Sequence, residues 1–165
     1  MVRYLTRLKT HIHFVHSDWL KPARFKGVRR MKKINLPKTS ERVRGLTPVN
    51  DGIMYVCDYD EVFKITISDK VEIEILDDDP YEFLESLPYG LGLSEGEPIL
   101  EFNGNSIFYK FDPTSDFVTV HCNVNEQKNS IEFRTLSGDW FVASFSLCGK
   151  YIVMAEPYDI ELYEL

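Results

Sequence analysis

Histidines His11, His13 and His16 lie close together in HIHFVH. On a strand, alternate residues share a face, so His11 and His13 would sit side by side as two metal ligands do, with His16 on the opposite face. No cysteine or paired carboxylate follows nearby, and no metal is expected. A second group is the acidic knot Asp77, Asp78 and Asp79, followed by Glu82 and Glu85. Hard cations favour clustered carboxylates, but a calcium loop needs alternate-position ligands and a glycine at its sharp turn. Neither is present. Asp79 before Pro80, with Glu82 three positions on, instead suits the capped start of a short helix, with acids at its positive end. Asp58, Asp60 and Glu61 could pair as acid and base, yet they fit a hairpin turn without any chemistry. His121 is the one histidine after residue 49, and no nucleophile elbow, phosphate loop or dinucleotide fingerprint occurs. GLGLSEG at 90–96 has glycines without a basic residue. The expectation is therefore no enzyme, no cofactor and no catalytic residue.

The elements that carry these residues are strands. From Ile53 the chain reads IMYVC, EVFKITI and VEIEIL, separated by DYD and SDK. VEIEIL alternates, which predicts a half-buried strand with Val71, Ile73 and Ile75 inward and Glu72 and Glu74 outward. ILEF, SIFYKF and FVTV form a second series. Its Asn103-Gly104 is a strong hairpin signal, because both central residues of that turn need positive φ. HCNVNEQKNS then reads as a connector, followed by IEFRT as an outer fourth strand. FVASFS, YIVMAE and IELYEL form a third series. First turns centre on Tyr59, Gly104 and Cys148, and second turns on Asp69, Thr114 and Tyr158. The spacing is 44–45 residues, a repeat architecture. The fold class is all-β: three antiparallel meander units, propeller-like or a sandwich or open barrel, with one short helix near 79–87.

The final stretch FVASFSLCGKYIVMAEPYDIELYEL resembles a WD-repeat blade. Phe145-Ser146, Gly149-Lys150, Asp159 and IELYEL occupy the blade's strand end, turn, Asp-bearing turn and third strand. The Gly-His pair of that family is absent, and Tyr163-Glu164 stands where Trp-Asp would close the blade. The resemblance implies antiparallel sheet and a binding platform without catalytic residues. Propellers have about 4–8 blades. Three units fall short of a ring, which leaves a larger propeller, a homo-oligomer that completes one, or another antiparallel arrangement.

Charge divides the 165-residue chain sharply. Residues 1–48 hold 13 Lys and Arg against 2 Asp and Glu, while residues 49–165 hold 6 against 24. The expected organisation is a basic N-terminal segment over 1–48, partly disordered, and a single acidic β-rich domain over 49–165. Met31-Lys32-Lys33 reads as a start, with residues 1–30 an extension. No apolar run approaches the roughly 20 residues that span a bilayer, and no secretory signal is apparent. Cys57, Cys122 and Cys148 lie far apart, as free thiols in a reducing cytoplasm do.

Net acidity steers a cationic partner and repels nucleic acid. In size and charge the chain is similar to bacterial toxin-immunity proteins, which mask a basic toxin domain. That likeness implies a non-enzymatic, inhibitor-type binding module with a basic protein partner. Its contact residues are Glu72, Glu74, Asp77, Asp78 and Asp79, with Tyr81 and Tyr89 as aromatic anchors. The alternative is nucleic-acid binding through Lys32, Lys33, Lys38, Arg42 and Arg44. Few aromatics lie near them for base stacking.

Overall fold

The structure, a computed structural model, describes residues 31–36, 42–93 and 96–165. The chain is all-β, with one helix among the described residues. The first meander contains β2 (Gly45–Leu46), β3 (Ile53–Cys57), β4 (Val62–Ile67) and β5 (Val71–Leu76). Helix α1 (Pro80–Ser86) follows, and then β6 (Leu91–Gly92), which pairs with β2. The second meander contains β7 (Glu101–Phe102), β8 (Asn105–Phe108), β9 (Phe117–Val124) and β10 (Gln127–Arg134). The third contains β11 (Val142–Phe145), β12 (Tyr151–Glu156) and β13 (Asp159–Glu164). Its fourth strand is β1 (Lys32–Ile34), which pairs antiparallel with β13. Both β1 and β2 come from the basic stretch before residue 49.

All six turn positions marked by the 44–45 residue spacing lie between consecutive strands of the three sheets. The chemistry of the turns explains their places. Asp51-Gly52 and Asn103-Gly104 adopt positive φ at both residues (47° and 77°; 48° and 81°), the geometry a two-residue hairpin turn requires. Asp112 accepts hydrogen bonds from the Thr114 backbone N–H (2.9 Å) and hydroxyl (2.7 Å), which closes the turn before β9.

The three sheets stack as layers, with the third meander in the middle. Along β12, Val153 and Ala155 pack towards the first sheet with Leu46, Met54, Val56 and Ile65. Ile152 and Met154 pack towards the second sheet with Val118, Val120, Cys122 and Phe133. Successive strand residues face opposite ways, so this middle sheet is buried on both faces, and β11 and β12 carry almost unbroken apolar runs. Glu156, fully buried at the end of β12, is satisfied by four donors: the backbone N–H groups of Leu136 (3.2 Å), Ser137 (3.2 Å) and Tyr158 (2.8 Å), and the Ser137 hydroxyl (3.1 Å). It fastens the β10–β11 connection to the middle sheet.

Two expectations are corrected. HCNVNEQKNS is not a connector: Phe117–Val124 and Gln127–Arg134 form an eight-residue hairpin about Asn125-Glu126, both at positive φ. VEIEIL is not half-buried either. Ile73 is 37% and Ile75 58% exposed, because β5 is the end strand of its sheet and the core shared with the middle sheet takes in only Val71 at its start. No helix among the described residues is long and apolar enough to cross a membrane.

Candidate partner-binding surface

The outer face of the first sheet carries α1. Tyr55, Cys57, Val62 and Leu76 of the sheet pack against Phe83, Leu84 and Leu87, with Tyr55 and Phe83 rings 5.1 Å apart. The helix forms because Asp79 accepts hydrogen bonds from the N–H groups of Tyr81 (2.9 Å) and Glu82 (3.0 Å), and Pro80 occupies the first turn. Asp79 is therefore a cap as well as an exposed acid.

Register places the remaining acids around this helix. Glu74 lies opposite Lys64, and Glu72 opposite Thr66, on the same face of β5 as Leu76. Leu76 touches the α1 cluster, so Glu72 and Glu74 share the helix-bearing face. Asp77 and Asp78 bridge β5 to the helix, and Glu82 and Glu85 are exposed along it. Lys64 Nζ is the one described cation paired within this group, 3.0 Å from Glu74, and that bond raises its pKa.

The two tyrosines have different settings. Tyr81, 45% exposed, lies face-on to the Arg44 guanidinium at 3.6 Å, with Tyr59 5.4 Å from the same group. This cation–π stack joins α1 to the entry of β2. Tyr89, 54% exposed, lines a groove of about 280 Å³ with Ile53, Tyr55, Leu87, Pro88 and Leu147.

Among the candidate basic residues, Arg44 is thus held by aromatic rings. Arg42 pairs with Asp139 and lies 6.0 Å from the Tyr158 ring, and Lys33 pairs with Glu161. Lys32 is exposed on β1. Lys38, the histidines His11, His13 and His16, and the extension over 1–30 lie outside the described residues.

The groups weighed for catalysis take structural places. Asp58, 1% exposed, accepts from the N–H groups of Asp60 (2.8 Å) and Glu61 (2.7 Å), closing the β3–β4 turn. His121 is exposed on β9, 2.9 Å from the Ser130 hydroxyl and stacked on Phe108. Burial pushes the Cys57 and Cys122 thiols up to about 11, while Cys148 lies half-buried in the β11–β12 turn. Among the described residues no three His, Cys, Asp or Glu side chains converge as a metal site.

Sequence reading missed the Arg44–Tyr81 stack and the exposure of Ile73 and Ile75. The stack joins residues from distant segments and has no local signal. The exposure had one: VEIEIL is followed by a helix, so no later strand was bound to cover its edge. No family model, curated protein or solved structure matches this chain.

Proposed function

We propose that the protein is a non-enzymatic binding module that holds a basic protein partner against the acidic face of its first sheet, in the manner of an inhibitor or immunity protein. One observation carries this reading: Glu72, Glu74, Asp77, Asp78, Asp79, Glu82 and Glu85 are all exposed, and they surround one short helix. Like charges gathered on one face raise the local potential and accelerate encounter with a cation. Tyr81 and Tyr89 flank the acids and supply apolar area at small entropy cost.

Nucleic-acid binding through the basic stretch is supported less well. Of its described members, Lys33 and Arg42 are paired with carboxylates and Arg44 is covered by aromatic rings, which leaves Lys32 as the exposed, unpaired one. The experiment that separates the readings is co-purification with charge-reversed chains. Glu72→Lys, Glu74→Lys and Asp78→Lys together abolish recovery of the partner. Reversal of Glu97, Glu101 and Glu132, exposed elsewhere, leaves recovery unchanged. Equal recovery with both sets counts against the acidic face.

A further inference from the structure

Resting on the acidic-face reading, we propose that the partner is engaged by strand addition: a partner strand of alternating apolar and basic residues pairs along the outer edge of β5. β5 ends its sheet, and among the described residues no strand pairs with its outer edge. Exposed edges in proteins are ordinarily guarded by charged side chains, lysine above all, or by proline, a bulge or extreme shortness. β1, at the edge of the middle sheet, is three residues with two lysines, and β6 is only two residues. β10, the eight-residue edge of the second sheet, carries Lys128 and Arg134. β5 is guarded only by Glu72 and Glu74, charges that repel an acidic strand and admit a basic one. It runs six residues in unbroken register with β4, has no lysine, proline or glycine, and exposes Ile73 and Ile75.

The occupied side of β5 displays the strand chemistry that suits it. β4 sets Lys64 opposite Glu74 at 3.0 Å, Ile65 opposite Ile73 and Phe63 opposite Ile75. A partner strand on the free side repeats this pattern, with Lys or Arg beside Glu72 and Glu74 and apolar side chains beside the isoleucines. Opposite residues of antiparallel strands project to the same face. A second copy of β5 is disfavoured on that ground. In every antiparallel register that overlays four or more residues of VEIEIL on itself, glutamate meets glutamate or an apolar residue. Main-chain bonds then give affinity, and the alternation selects the basic partner.

The test uses the full chain and a synthetic peptide of about seven residues alternating Lys and Val, with a Glu–Val peptide as control. Amide hydrogen exchange is followed residue by residue. The Lys–Val peptide is expected to slow exchange within 71–76 by at least about tenfold, and to leave β10 unchanged. In the Glu72→Lys/Glu74→Lys chain the preference reverses, and the Glu–Val peptide now protects β5. Charge-dependent binding without protection of β5 overturns strand addition while leaving the acidic-face reading standing. Alternate amides of β5 are protected by β4 in any case, so the outward ones are those read; their protection in the free chain also overturns it, with mass in solution separating a second copy from cover by the chain itself. Failure of both peptides at low salt overturns it as well, whereas the acidic-face reading falls only on the charge-reversal co-purification.

Discussion

Two residues whose sequence neighbourhoods suit opposite functions are stacked on each other. Arg44 reads as a phosphate contact and Tyr81 as a protein anchor, each from its own neighbourhood; the fold stacks them at 3.6 Å. Such pairs contribute about 0.5–2 kcal/mol. Tyr81→Ala is therefore expected to lower the stability measured by urea unfolding by about 1 kcal/mol. Lys32→Ala, on an exposed strand position, should leave it unchanged. The thiols make a second residue-scale prediction. Cys57 and Cys122 stay neutral because burial raises them from 9.0 to about 11. With an aromatic disulfide reagent near pH 8, Cys148 alone reacts rapidly, and all three react in denaturant. The sign of the pH effect follows from the same shift. A pKa higher in the folded state contributes stability that is intact below 9.0 and is lost as pH rises towards about 11. The fall in urea-unfolding stability between pH 9.0 and about 11 should become shallower when both cysteines are replaced by alanine, even though the cavities lower stability at neutral pH. An unchanged slope counts against the buried thiols as its cause.

At the scale of elements, turn chemistry was the most legible feature. Asn103-Gly104, the Asp79 cap and the Asp-bearing turns are short-range devices whose geometry follows from a few adjacent residues. Burial was less legible, because it depends on what covers a strand. The alternation of VEIEIL was correctly read as a strand, but Ile73 and Ile75 are exposed since the core shared with the middle sheet reaches no further along β5 than Val71. FVTV was read as ending early and IEFRT as starting late for another reason: the β9–β10 turn is Asn125-Glu126, which lacks the glycine that usually marks such a bend. One glycine links elements of different sheets. Gly149 has φ 69°, and a Cβ there would lie 2.2 Å from the Phe102 ring. Gly149→Ala is expected to cost about 1–3 kcal/mol, while Gly104→Ala, with open space around it, costs about 1 kcal/mol from its backbone alone. Comparison of the two thermal midpoints checks the order.

For the molecule as a whole, the basic stretch is part of the architecture. β1 completes the middle sheet and β2 lies within the first. A chain beginning at Asn50 loses both strands, along with the Val43 N–H bond to the Pro157 carbonyl (2.7 Å) and the Arg44 stack. Its thermal unfolding should become broad and fall to lower temperature; a sharp transition at the full-length midpoint contradicts this. The layered order was not legible, since the three repeats are consecutive in sequence while the third lies between the other two. What sets that order is the double apolar character of β11 and β12, which need cover on both faces. With the middle sheet enclosed, the first sheet is left free to present its acids outward. The most direct test of that role is the affinity of the co-purified partner for the wild-type chain and for the Glu72→Lys/Glu74→Lys/Asp78→Lys chain across a salt series. The account predicts a wild-type affinity that weakens steeply with salt and a variant that does not bind at any salt. Equal affinity for the two chains, with the same salt dependence, would contradict it.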